Sequence, residues 1–553
     1  MSYNIVELLT QTTMGHLFLI SFLFWLTWGY CLRIKGWVSD DIEGMAKFSN
    51  QFVQQKDPQG NIIQENLIDT YDQEIGKDKE GKPIIKKYGH TQFNPHIGFP
   101  GSLFRWLRLV WGRKFAKLGD NKKGHPMYGW VQSPIKHHLL NLIFQQVNLV
   151  LAYFFLSHII GSKLAWLSLM IFSVHPLGTQ AVAWISGINY TVSLTFALAL
   201  LNASLLLDNP YIYIPVSAFL AYFSCQFFLP GAFTWVILLM IGKWDIAIVA
   251  FLVGAYILLS YGKGVLSYRF NAFKEQHMEK STKLNWRKVI VVIKTVWYYI
   301  KFFPFPKRLG LFHSFGYHFD EPLDHADRFF YFGFISTVSL IVGYFFVPPE
   351  IQFAFIWVSA YIVIFLNVVT AQQFVSERYA FIPSLGFCII LAYLLQNFIP
   401  LLMLIIGLYI MRVWVHLPSF RNEVRFYESN AVNFPDSEVA LGNLGVAYLN
   451  HGLPGKAVDT WLEATRVNPV YDVPWYNLYS FSKQNRDLVG AKDFMKKCLD
   501  AKLIHFPEIW NKEYAELVDF ISKSVSIQEM SKRINQVIKE ANYDSSGIIQ
   551  PRK

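Results

Sequence analysis

Three short stretches beside the apolar runs carry the side chains best suited to chemistry. Ser39-Asp40-Asp41 sets two carboxylates side by side just before IEGMAKF, where such residues also serve as a helix N-cap pair. Ser376-Glu377-Arg378 joins a carboxylate to a guanidinium, whose planar fork matches two oxygens of an oxyanion at once. The same pair also works as an interfacial anchor with its own counter-ion. His175 opens HPLGTQAVAWISG, residues 175–187; a His-Pro step equally ends a helix. Cys31, Cys225, Cys388 and Cys498 share no short spacing, so neither a metal site nor a disulfide framework is implied.

The elements that hold these residues are set by composition. Hydrophobic residues make up 53% of the 553 and charged ones only 16%, a balance too apolar for a water-soluble chain. The apolar residues gather into runs at 15–32, 139–160, 189–207, 245–261, 329–347, 351–369, 379–395 and 398–415, several long enough to cross about 30 Å of hydrocarbon. With shorter runs at 164–175, 211–229 and 231–242 the count reaches about 11 spans. The first run lacks a basic leader and a small-residue cleavage site, so it reads as a retained span. Net charge is +11, with the cations clustered beside apolar segments, which favours anionic lipid and excludes nucleic acid as the partner. SLFRWLRLVWGRKFAKL (102–118) and WRKVIVVIKTVWYYIKFFPFP (286–306) mix basic and aromatic residues and read as helices lying in the membrane interface.

Eleven crossings place the loop 33–135, the turn 175–188, the loop 262–327, the turn 370–378 and everything after 416 on one face. The domain division follows: a first transmembrane helix (1–33), an extramembrane loop with an interfacial helix (34–135), a first half-bundle (136–261), a second loop with an interfacial helix (262–327), a second half-bundle (328–416), helical repeats (417–510) and a helical tail (511–553).

The repeats rest on spacing alone. Leu444-Gly445, Tyr448, Ala457, Trp461 and Pro469 fall where a 34-residue tetratricopeptide helix pair needs a packing pair, an aromatic, small residues and a stop, and Pro435 lies 34 residues before Pro469. The next unit keeps Trp475, Leu478 and Ala491. Two or three such units form a platform for a protein partner and carry no chemistry themselves. The expected fold is therefore all-α: a polytopic membrane helix bundle followed by a short tetratricopeptide-type domain.

Taken in order, Ser39-Asp40-Asp41, HHLLNL (137–142), HPLGTQAVAWISG, WYYIKFFPFPKRLGLFHSFGY (297–317), SERYAFIPSLGF (376–387) and the trailing repeats resemble the transmembrane and tetratricopeptide-repeat O-mannosyltransferases, from about residue 37 to about 500. Those proteins belong to the GT-C class of glycosyltransferases. The resemblance implies transfer of a mannose-like sugar from a polyprenyl or dolichyl phosphate to a hydroxyl of a protein or glycan at the membrane surface. Asp40 and Asp41 would supply the general base, or hold a divalent metal, while Arg378, with Glu377 and His175, would hold the donor phosphate.

The chain also departs from that pattern. Gln180 replaces a carboxylate of the His-Pro motif, Ile188 and Tyr190 replace a downstream Arg and Asp, and Ser224-Cys225-Gln226 stands where a Ser-Lys-Glu is usual. Ionisable groups at membrane depth are costly and usually retained for function. Two readings therefore stay open: a GT-C transferase, of the endoplasmic reticulum or a bacterial inner membrane, and a catalytically silent relative serving as a structural or assembly subunit, for which a mitochondrial inner membrane or another organelle membrane fits.

Overall fold

The computed structural model describes residues 12–36, 38, 55–56, 62–63, 72–77, 83–87, 107–108, 110–120, 126–227, 229–261, 286–311, 313, 328–366, 375–501, 511–523 and 532. Asp40 and Asp41 lie outside them. Two compact units emerge, one built from the chain up to Phe434 and one from Pro435 onward.

The first unit is a helix bundle. Five stretches are long and apolar enough to cross a membrane: Thr13–Arg33, Pro134–Ile160, Ile185–Leu206, Glu377–Leu395 and Ile399–Arg421. Their core helices are α1 (Thr13–Trp28), α2 (Pro134–Ile160), α4 (Ile188–Leu206), α11 (Glu377–Leu395) and α12 (Ile399–His416). Between them run shorter apolar helices: α3 (Ser162–Val174), α5 (Pro210–Phe227), α6 (Thr234–Met240), α7 (Trp244–Tyr261), α9 (Arg328–Tyr344) and α10 (Pro349–Ile362). Their outward faces are apolar, as those of lipid-facing helices are. Outward faces such as Phe334, Ile335 and Ile341 of α9 are exposed, while Trp28, Phe155, Trp357 and Phe381 fill the interior.

Three expectations change here. The run at 231–242 does not form one continuous α-helix: a 3-10 turn, Leu229–Phe233, leads into α6, whose α-helical part has 7 residues. The helix expected over 102–118 ends by residue 112, because β5 (Arg113–Asp120) pairs antiparallel with β6 (Pro126–Gln132). The intervening Asn121-Lys122-Lys123-Gly124 is rich in turn formers, and pairing with a second strand is what an amphipathic pattern cannot reveal. Two further hairpins, β1 (Gln55–Lys56) with β2 (Ile62–Ile63) and β3 (Asp72–Lys77) with β4 (Pro83–Lys87), make the first loop partly β. The other basic aromatic stretch does form a helix, α8 (Trp286–Phe302). Its Lys294 is buried within the protein, and Lys301 lies 4.4 Å from the Phe329 ring centroid.

α13 (Glu423–Asn433) closes the first unit. The second unit holds two antiparallel helix pairs, α14 (Glu438–Asn450) with α15 (Pro454–Val467) and α16 (Asp472–Gln484) with α17 (Leu488–Asp500). Corresponding helices start 34 residues apart. Leu444, Ala457 and Trp461 are buried in the first pair, as are Leu478, Ala491 and Met495, each 34 residues later. Tyr448 is buried beside them, with Lys456 over its ring. Gly445 lies against the indole of Trp461, whose Nε1 donates to Gly442 O at 3.0 Å. Pro469 follows the end of α15 and stops it. Even the backbone repeats: Gly452 (φ 74°) and Arg486 (φ 63°) take the same left-handed turn in the two pairs.

Candidate functional site at one end of the bundle

α3 ends at Val174, and residues 176–187 then wind through a 3-10 turn, a π turn and a second 3-10 turn, nearly all of it buried. Irregular backbone inside a membrane protein must find its hydrogen-bond partners in the protein itself. Here α2 and Arg108 supply donors. Asn141 Nδ2 donates to Trp184 O at 2.9 Å, and in the following α4 Asn148 Nδ2 donates to Thr191 O at 2.9 Å. Arg108 Nη2 donates to Ile185 O at 3.2 Å.

Against this turn lies a second irregular segment, 303–311, whose two prolines, Pro304 and Pro306, carry no amide donor and keep it out of a helix. Its peptide groups are held by side chains from several elements. His175 Nε2 donates to Phe303 O at 3.0 Å and Tyr409 Oη to Pro304 O. Arg412 reaches Pro306 O at 3.3 Å and Lys307 O at 3.0 Å. Asn433 Nδ2 donates to Leu309 O at 2.8 Å, and Leu311 N donates to Asn430 Oδ1.

Gly310 is the centre of this strap. Its carbonyl accepts from Gln180 Nε2 at 2.8 Å and its amide donates to Glu377 Oε1. Ser376 Oγ donates to Gln180 Oε1 at 2.9 Å, so both ends of the Gln180 amide are engaged. A side chain at Gly310 would meet Asn430 Oδ1 at 2.7 Å and the Phe434 ring at 2.8 Å. Glu377 is fully buried, and His313 Nε2 lies 3.5 Å from its Oε1. Tyr298 Oη meets His313 Nδ1 at 2.6 Å, which completes a Tyr-His-Glu row with a partly buried tyrosine at its outer end.

The expected site residues separate in this frame. His175 accepts from Leu177 N through Nδ1 at 3.2 Å while Nε2 serves Phe303 O, so both ring nitrogens work within the chain as in a neutral imidazole. Glu377 serves Gly310. Arg378, the next residue, places its guanidinium 5.5 Å from the Trp184 ring centroid and 5.3 Å from that of Tyr379. Trp184 Nε1 in turn donates to Val38 O at 3.4 Å. Among the described residues no group of three or more His, Cys, Asp or Glu could hold a metal ion, and the Gln226 side chain falls outside the described residues.

Sequence reasoning passed over Gly310, Tyr409, Arg412, Asn430 and Asn433. The available signal was the pair of prolines in FFPFPKRLG: a stretch that cannot be helical leaves carbonyls that need donors from elsewhere wherever it is buried. Comparison of the chain with models of known families, with curated proteins and with solved structures finds no match.

Proposed function

We propose that this protein is a catalytically silent member of the GT-C type, an about eleven-segment membrane bundle with a tetratricopeptide-type C-terminal unit, retained as a structural or assembly subunit of a larger membrane complex. The observation that carries this reading is the state of Gln180, Glu377 and His175. Gln180 and His175 spend both polar atoms of their side chains, and Glu377 its Oε1, on the 303–311 segment or its neighbours, where a transferase of that type would offer them to a lipid-linked sugar phosphate. Gln180 donates a hydrogen bond to Gly310 O that a carboxylate cannot donate. The substitution that removes a charge thus also supplies the donor a packed loop requires. The helix pairs beyond Pro435 are the natural contact for a protein partner, and the exposed apolar faces contact lipid. Purification from native membranes in mild detergent tests the reading: the chain is expected to run with stoichiometric partners at a mass well above its own 64.1 kDa. Migration as a lone chain would overturn it.

Two observations favour the transferase as a second reading. Glu377 Oε2 is buried without a hydrogen-bond partner among the described residues. Arg378 stacks on Trp184, which bonds Val38, two residues before Asp40. On that reading a mannose-like sugar on polyprenyl phosphate is the donor, Arg378 binds its phosphate, and Asp40 or Asp41 takes the acceptor proton. Asp41→Asn would then cut turnover by a factor of about 10² to 10⁴ with donor binding kept, and Arg378→Ala would weaken donor binding first.

A further inference from the structure

A groove of about 430 Å³ runs along the outside of the first unit where α1 and α12 end, lined by Trp25, Leu26, Gly29, Tyr30, Arg33 and Trp414. Its volume falls within the range of about 300–1,000 Å³ usual for small-ligand sites. The two helices meet at this point, where Trp414 Nε1 donates to Leu26 O at 3.2 Å. Both belong to stretches long and apolar enough to cross a membrane. The walls are aromatic and apolar: Trp25, Leu26 and Trp414 are 37%, 42% and 46% exposed, the placement that tryptophan takes at headgroup depth.

The mouth of the groove is cationic. Arg421 hydrogen-bonds the Tyr30 hydroxyl and lies 5.4 Å from that ring's centroid, so its guanidinium is held in place beside the groove. Arg33 lines the groove itself, and Lys35 is exposed two residues further on. Gly36 lies so close to the Arg421 carbonyl that a side chain there would collide with it, which draws residues 33–36 and 421 together. Cations are favoured at the C-terminal ends of helices, and of the five N–H donors that a guanidinium carries the bond from Arg421 to Tyr30 uses one. Glu423, which follows Arg421 by two residues, leaves the stretch basic on balance.

We propose that this groove is a binding site for one anionic phospholipid, with its phosphate between Arg33 and Arg421 and its acyl chains along Trp25, Leu26 and Trp414. The sequence of the walls fits a lipid better than a soluble anion, because the cations stand at one end of an apolar trough that continues along two lipid-facing helices. The site is separate from the strapped loop around Gly310, so it holds for a transferase and for a subunit alike.

Native mass spectrometry of the full chain released from neutral detergent tests it, with phosphatidylglycerol and phosphatidylcholine offered at equal amounts. One retained phosphatidylglycerol is expected, favoured over phosphatidylcholine by about thirtyfold, the equivalent of about 1 kcal/mol for each of two cations. Arg33→Gln, at an exposed side chain, should cut that retention about fivefold without lowering the melting temperature. Arg33→Lys with Arg421→Lys should keep most of it, which separates loss of charge from loss of fold. Equal retention of the two lipids would overturn the proposal, as would unchanged retention in Arg33→Gln. So would displacement by inorganic phosphate at the same concentration, which marks a free-anion site, or stronger retention of a polyprenyl-phosphate sugar, which marks a donor site.

Discussion

At the scale of single residues, Gly310 and Gln180 decide how the bundle's end is built. Gly310→Ala places a methyl group against Asn430 Oδ1 and the Phe434 ring at 2.7 and 2.8 Å. Overpacking of that kind costs about 1–3 kcal/mol, read as a lower melting temperature and faster proteolysis within 303–313. Gln180→Glu removes the donor to Gly310 O and sets a second carboxylate near Glu377. Its expected cost is about 1–3 kcal/mol for the carbonyl left without its partner. An unchanged melting temperature in that variant would show that the strap contributes nothing to stability. The sequence made the importance of 175–187, 297–317 and 376–387 legible as motifs, yet it suggested a phosphate as the partner of Glu377 and His175. Their actual partners, Gly310 and Phe303, lie 67 and 128 residues away, and no local pattern encodes such a pairing.

Among elements, the helix pairs of the second unit were the most legible, because a 34-residue repeat packs mainly against itself and its next copy. Ala457 has no exposure, so Ala457→Arg buries an unpaired charge at a cost of several kcal/mol. That variant should lose the proteolytic resistance of 435–500 while the bundle stays inserted, and unchanged resistance would refute the packing. Arg486 adopts φ 63° where its counterpart is Gly452; Arg486→Gly should therefore raise the unit's stability by about 1 kcal/mol. Burial, then the nearby Asp472 and Glu513, pushes the Cys498 thiol up from its ordinary 9.0. The Tyr471 phenol is likewise pushed up from 10.0 by burial and by Glu438 and Asp472. A group whose folded value is raised keeps its proton where the unfolded chain releases it. Stability is therefore complete below about pH 9 and falls above it, by up to about 1.4 kcal/mol per pH unit for each group. Thermal melts between pH 8 and 11 check this, with Cys498→Ala flattening the first part of the decline. The hairpin β5-β6 was the least legible element, since a strand depends on its partner strand and 102–118 alone has a helical stripe.

For the whole molecule, apolar runs foretold where helices form, and the structure places a helix on each of them. They could not say how long each helix runs: α6 stops after 7 residues. The ends of α1 and α12, the turn 175–187, the segment 303–311 and the start of α11 all meet at one end of the bundle through the Trp414–Leu26, Trp28–Ser173, Gln180–Gly310 and Ser376–Gln180 bonds. The proposed role turns on whether that end still accepts a lipid-linked sugar. The most direct test is a transfer and binding assay on the full chain in lipid nanodiscs, with a polyprenyl-phosphate mannose as donor and the Asp41→Asn and Arg378→Ala variants alongside. A silent subunit shows no transfer, and donor retention by the parent equals that of Arg378→Ala. Measurable transfer by the parent, lowered by about 10² to 10⁴ in Asp41→Asn, would contradict it.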